Sequence, residues 1–372
     1  MDQSAKLGTW IIATGVIIAI LHLGRDILAT FAMAVFLFLI IEGFATAIDK
    51  VFPSLKISTA RLIAILLVTI GFVGFIALLA NGVAEFGRDA GNYEAKINEL
   101  IADVYQVGGV QEAPTLTKLV FNERGNEFFA TIANSVSGLS GDLMLILIYV
   151  AFLFSAQASW PQKLDRIFHS PERRDQVRRI GSEARRGIEN YLWVQTVISV
   201  IITVLSYLSL LALGVQNALF LSAVIFVLNY IPTVGSIVAA LVPPLFALVQ
   251  PAVPGWVPGI APDTSYVYAA IVFGIVSFWQ FSIGNFVQPR MMGDSLNLSA
   301  LVVLLALAIW GVIWGIPGMF LSAPLTVIMM ILWAQSDDTR WLAILLSADG
   351  DPRPAAAGST QASVQTPDAA QG

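Results

Sequence analysis

Cysteine is absent, histidine occurs twice, and charged residues make up only 12% of the 372 positions. Each scarcity closes a class of function. Without cysteine there is no disulfide, no thiol nucleophile and no thiolate metal site. His22 and His169 fall at the end of an apolar run and in a basic loop, far apart and outside any His-Glu-x2-His pattern, so no zinc site is expected. No Gly-x4-Gly-Lys-Ser/Thr loop is present to cradle a nucleotide phosphate. Net charge is −5 and no basic tract interleaves with aromatic residues, which excludes nucleic acid as a partner. The expectation is a chain without cofactor, metal or catalytic machinery.

Hydrophobic residues make up 57% of the chain, and mean hydropathy is +0.77. A soluble domain carries about 25% charged residues, so the solvent for most of this chain is lipid. The spacing predicts an all-α integral membrane protein with about six full spans, near 7–23, 27–47, 60–80, 143–158, 192–213 and 266–286. The first run lacks a small-x-small cleavage site and is read as a span rather than a signal peptide.

Two further apolar stretches are broken in the middle. Asn217 to Gln250 would be roughly 50 Å long as one helix, against a hydrocarbon slab of roughly 30 Å. It is interrupted by Asn229-Tyr230-Ile231-Pro232-Thr233-Val234-Gly235, where a proline without an amide hydrogen meets a flexible glycine. Ser299 to Trp333 is interrupted in the same way by Trp314-Gly315-Ile316-Pro317-Gly318. Each broken stretch follows one full span. The pattern predicts two helical hairpins dipping into the membrane in a span-plus-hairpin repeat. A long kinked helix or two cramped spans are the alternatives at each. Irregular backbone at that depth survives only when packed in protein or lining a wet cavity.

The expected organisation has six parts. Spans one to three occupy 1–80, and an acidic helical extracytoplasmic insert, broken near Gly108-Gly109 and Pro114, occupies 81–140. Span four is 141–160, followed at 161–190 by a basic amphipathic helix with Arg173, Arg174, Arg178, Arg179, Arg185 and Arg186. A transport core fills 191–336, and a polar tail expected to be disordered fills 337–372. Positive-inside reasoning from the basic loop and from Lys50, Lys56 and Arg61 places both termini in the cytoplasm, which makes the two hairpins enter from opposite sides. Membrane lipid is the expected partner of the basic face.

No Asp, Glu, Lys, Arg or His occurs between Glu189 and Asp263, between Asp263 and Arg290, or between Asp294 and Asp337. Such a core suits a neutral polar small-molecule substrate better than a proton relay, which needs an embedded carboxylate or histidine. Candidate path residues are Asn229, Tyr230, Pro232, Thr233 and Gly235 at the first break, with Gln280, Asn285, Gln288, Pro289 and Gly293 along and beyond span six. At the second break they are Trp310, Trp314, Gly315, Pro317, Gly318 and Pro324. The polar stripe of span six reads equally as helix-to-helix hydrogen bonding, and the tryptophans as packing. Glu42, Asp142 and Arg290 are the ion-linked candidates; Glu42, near a span end beside Lys50, reads first as an interfacial carboxylate, and Arg290 as a residue of the cytoplasmic interface. Gly138-Leu139-Ser140-Gly141 imitates a serine-protease motif but has no embedded histidine partner, so the chain is not read as an enzyme.

Taken in order, Asn229-Tyr230-Ile231-Pro232-Thr233-Val234-Gly235 with Pro243, then Gln288-Pro289-Arg290-Met291-Met292-Gly293 with Leu298, then Trp310-Gly311 through Gly315-Ile316-Pro317-Gly318 to Pro324, resemble the autoinducer-2 exporter family of bacterial permeases. The resemblance implies a multi-pass protein of the bacterial inner membrane. Members of that family export the signalling molecule autoinducer-2 and others are sodium or lithium/proton antiporters. It also implies homo-oligomers and an elevator-like motion of the hairpin-bearing part. Three readings follow: an exporter of a small polar metabolite, a cation/proton antiporter using Glu42 or Asp142, and a membrane scaffold that transports nothing.

Overall fold

A computed structural model describes residues 12, 15–107, 142–157, 159–250, 253–255, 265–292 and 297–351. In chain order the helices after residues 15–23 are α1 (Arg25–Val51), α2 (Ile57–Val107), α3 (Asp142–Gln157), α4 (Trp160–Ile167), α5 (Pro171–Leu213), α6 (Ala218–Asn229) and α7 (Val234–Val249). Then come α8 (Ser265–Ser282), a π-helical turn (Ile283–Val287), α9 (Gln288–Met292), α10 (Ala300–Trp314), α11 (Ile316–Trp333) and α12 (Arg340–Leu346). Among the described residues no strand forms beyond a single bridge between Leu298 and Ser347.

Among the described residues, five helices are long and apolar enough to cross a membrane: α1, the first part of α2 to Glu85, α5, the stretch Ser265–Met292, and α11. The pair α3 and α4, bent by 60°, makes a sixth if counted as one span. The helices α6, α7 and α10 are apolar but shorter. At 18 residues α11 reaches the lower limit of a span, so the two broken stretches are not equal in arm length.

Two helices run further than the hydropathy suggests. α2 continues without interruption from its apolar part to Val107, where the sequence places the end of span three near Ala80. Gly82, Gly87 and Gly91 are single glycines, which a helix tolerates, and the first Gly-Gly pair comes only at 108–109. In the same way α5 joins the basic segment to the span after it, with no proline between them. The tail beyond 351, the Gly108-Gly109 and Pro114 breaks, Gly293 and Asp294 lie outside the described residues.

The chain divides into two compact units: Met1–Leu66, Leu145–Val194 and Arg290–Gly372 in one, and Leu67–Met144 with Gln195–Pro289 in the other. In the first, α10 packs along α11, α1 packs on both, and α12 packs on α11. Edge-on aromatic pairs, Phe38 with Phe154 at 4.8 Å and Phe44 with Trp193 at 5.0 Å, fix α1 against its neighbours. In the second, α7 packs along α8 and also on α6.

A clasp closes the end of the first unit. Asn297, at φ 47°, donates from Nδ2 to Asp349 Oδ1 at 2.8 Å and to the Asp351 carbonyl at 2.7 Å, while its own carbonyl accepts from Ala348 N at 3.1 Å. The Asn297 amide, with the Asp351 amide behind it, holds the Asp349 carboxyl below its ordinary range. A lowered carboxyl contributes its stabilisation above the unfolded-state value and loses it as pH falls through the folded one. Asn297→Gly keeps the backbone angle and removes both side-chain bonds. Amide exchange at Ala348 is expected to be faster in that variant than in wild type at neutral pH, with the difference shrinking in acid.

Candidate functional site

The first break is built by three residues with separate tasks. At the end of α6 the ladder tightens, with Tyr230 N donating to Val227 O at 3.1 Å and Ile231 N to Leu228 O at 2.9 Å. Pro232 offers no amide, and Val234 N then donates back to Pro232 O at 2.6 Å across Thr233, which sits at φ 60° and ψ −61°. This is the positive-φ form of the γ-turn, strained for any residue and more so for a β-branched one, at a cost of about 1–3 kcal/mol. Two residues later Gly235 lets α7 touch α6: a Cβ there would lie 1.8 Å from the Leu228 carbonyl oxygen.

The second break repeats the device with other residues. Gly315 adopts φ 66° and ψ −139°, a region open in practice to glycine alone, and Pro317 opens α11 where no amide is needed. A Cβ on Gly318 would lie 2.0 Å from the Trp310 carbonyl oxygen. Trp310 is buried and its ring centroid lies 5.2 Å from that of Trp314, whose Nε1 donates to the Leu21 carbonyl at 3.1 Å. Pro324 is buried inside α11.

In the second unit a cluster of neutral polar side chains gathers on the first break. Gln195 of α5 donates from Nε2 to the Asn229 carbonyl at 2.6 Å, satisfying an oxygen at the end of α6. Gln280 of α8 donates from Nε2 to Asn229 Oδ1 at 3.1 Å. Gln288 of α9 donates from Nε2 to Gln195 Oε1 at 3.4 Å. Thr196 and Tyr230 join their hydroxyls at 2.7 Å. Gln195, Thr196, Asn229, Tyr230 and Gln280 are all buried, yet Asn229 Nδ2 has no protein acceptor. A buried donor left in that condition is costly.

Among the sequence-picked residues, the structure brings Asn229, Tyr230, Gln280 and Gln288 together. Thr233 is exposed at the tip of the break, and Pro289 and Arg290 are exposed beyond the π turn. Asn285 points outward and donates to the Phe281 carbonyl of its own helix at 2.9 Å. The physical reason is helical phase: at 3.6 residues per turn a position five residues on lies roughly 140° around the helix, so Asn285 does not share the face of Gln280. Gln195 and Thr196 were not singled out by the sequence, although Gln195 is the one amide side chain in a span without charge.

The ion-linked candidates separate in the structure. Asp142 is exposed at the start of α3. Glu42 is only 6% exposed and its carboxylate is shared by two guanidiniums within the first unit. Arg61 Nε lies 2.8 Å from Oε1, and Arg185 Nη2 donates to Oε2 at 2.9 Å. Arg185 also donates to Glu189 and stands over the Phe38 ring. Part of the basic segment is therefore engaged with protein: Arg185 with Glu42, and Arg174 and Arg178 with Asp165. Among the described residues no group of three or more His, Asp or Glu is placed to hold a metal ion.

Comparison with known proteins agrees with this anatomy. The family model described as AI-2E family transporter matches residues 9–336. "Putative transport protein YhhT" of Escherichia coli K12 is 26% identical over 339 residues, covering 89% of this chain and 91% of that protein. "AI-2 transport protein TqsA" of the same organism is 27% identical over 345 residues, covering 91% of this chain and 95% of its own. With nearly the whole chain matched, this protein belongs to the AI-2E transporter family.

Proposed function

We propose that this protein is a secondary transporter of the bacterial inner membrane that exports a small, neutral, polar metabolite, with autoinducer-2 the leading candidate. The observation that carries this reading is the buried, charge-free amide cluster around Asn229, which leaves one amide donor unpaired at a break in the helix. A neutral solute rich in oxygen would complete it, and no buried charge stands there to demand a counter-ion. Family membership and the name of the relative TqsA support the same cargo class. On this reading α6–α7 and α10–α11 act as re-entrant hairpins of an inverted repeat, both termini are cytoplasmic, and copies of the chain assemble in the membrane. The twin break geometry at Gly235 and Gly318 favours equivalent hairpins. Cation/proton antiport is less well supported, since Glu42 has both oxygens engaged by arginines.

The test is flux of labelled autoinducer-2 from proteoliposomes holding the purified protein, with and without pH or sodium gradients. Gln280→Leu removes the donor to Asn229 without adding charge. It is expected to lower saturable efflux about tenfold or more while the protein still inserts. Efflux equal to wild type in that variant, or no efflux above empty liposomes under any gradient, would overturn the reading.

A further inference from the structure

One short helix of the first unit carries its apolar side outward. In α4 (Trp160–Ile167) the side chains of Trp160, Leu164 and Ile167 recur at intervals of four and three residues and share one face. Trp160 is 60% exposed and Ile167 64%, and none of the eight residues is buried. The polar side is the one the protein holds. Asp165, roughly 140° around the helix from Trp160, accepts from Arg178 and lies 3.7 Å from Arg174 Nε, both on α5. Those contacts set which way α4 faces, and they leave its tryptophan side turned from α5.

A helix in water turns its apolar stripe to the protein core, so the reversed sense in α4 calls for an apolar partner outside the chain. Its place in the fold says which. α4 follows directly on α3, the apolar helix that makes a sixth span with it, and departs from that helix by 60°. With Lys163, Asp165 and Arg166 among eight residues, a helix leaving the line of a span at that angle runs obliquely along the membrane surface, not through the hydrocarbon. Tryptophan at the turn suits that level, having an apolar body and one ring donor.

The charge agrees. The whole chain has net charge −5, yet residues 160–178 carry Lys163, Arg166, Arg173, Arg174 and Arg178 against Asp165, Glu172 and Asp175. Lys163 and Arg166 border the apolar face, where their stems can lie along it and put the charged ends at the level of lipid phosphates. Further along α5, Arg179 and Arg186 share a side with Glu183, so that stretch offers no surface of one sign.

We propose that α4 is an interfacial anchor: its Trp160, Leu164 and Ile167 face enters the boundary between headgroups and acyl chains of one leaflet, and Lys163 and Arg166 bind the phosphates of anionic lipids there. Asp165, gripped by α5, keeps the anchor the right way up. The lipid partner expected for the basic segment as a whole is thereby narrowed to one helix, since Arg174, Arg178 and Arg185 are engaged with carboxylates.

A chain without cysteine accepts single spin labels at chosen sites. Trp160→Cys, Gln162→Cys and Ile167→Cys, all at exposed positions, are labelled in the full-length protein and reconstituted in phosphatidylcholine bilayers with and without phosphatidylglycerol. Power saturation with oxygen, which concentrates in lipid, and with a water-soluble nickel chelate gives the access of each reagent to each site. The oxygen-to-chelate ratio is expected to be about fivefold or more higher at positions 160 and 167 than at 162, and to rise further with phosphatidylglycerol. Equal ratios at the three sites would overturn the proposal, the face then standing in water. So would labels at 160 and 167 that neither reagent reaches, since protein, a second copy or another, would then cover the face. Ratios indifferent to phosphatidylglycerol would overturn the part assigned to Lys163 and Arg166. No flux enters these readings, so failure of the transporter reading leaves the test intact.

Discussion

Gly235→Ala is expected to destabilise the first helix pair by about 3 kcal/mol or more and to abolish flux. The added methyl would sit 1.8 Å from the Leu228 carbonyl oxygen, 2.8 Å from its carbon and 2.9 Å from the Ile231 Cβ. Two of those atoms are backbone, so no rotamer change relieves the collision. Separation of α6 from α7 is the remaining response, and it would also displace Asn229 from Gln195 and Gln280. Gly318→Ala meets the Trp310 carbonyl in the same way and should behave alike. Gly274→Ala in α8, with open space around its Cβ, supplies the control and is expected to be neutral or mildly stabilising, by about 0.5 kcal/mol. Thermal unfolding in detergent would check all three. Equal midpoints for Gly235→Ala and Gly274→Ala would show that the close approach at the first break is absent in the folded protein.

Replacing Glu42 carries the second large effect. Glu42→Gln leaves Arg61 and Arg185 without the carboxylate they share. Breaking a fully buried pair costs roughly 3–5 kcal/mol, but both arginine side chains are 39% exposed and can recover some hydration, so about 2 kcal/mol is the expected loss. Because the three side chains form one network, the losses from Glu42→Gln and Arg185→Met should fall short of additive by a measurable coupling. Strict additivity in that double-mutant cycle would mean the network is not formed. Cation-driven flux that collapses in Glu42→Gln, with the thermal midpoint unchanged, would instead restore the antiporter role.

What could be read from the sequence differs from residue to residue for physical reasons. The breaks were visible because Pro232 and Pro317 each forfeit a backbone donor, a property of the residue and not of its surroundings. The division of labour at the first break was not visible. Its positive-φ position is held by Thr233, and Gly235 is needed for close approach rather than for its torsion. Glu42 is misjudged by hydropathy because its partner Arg185 is 143 residues away in the chain. Asn285 joins the stripe of Gln280 on paper only, since five positions along a helix carry a side chain roughly 140° away from the face it started on.

The two indoles beside the second break give this protein a built-in optical reporter. Trp310 and Trp314, 5.2 Å apart and inclined at 51°, are close enough for their excited states to couple, and their mutual tilt makes the coupling chiral. One of them is also tied through its ring nitrogen to the Leu21 carbonyl, so the geometry of the pair follows the first turns of the break on one side and the N-terminal helix on the other. A circular-dichroism couplet lost in Trp310→Phe therefore belongs to this pair. Its change with ligand or gradient follows the second break in real time, with no label attached.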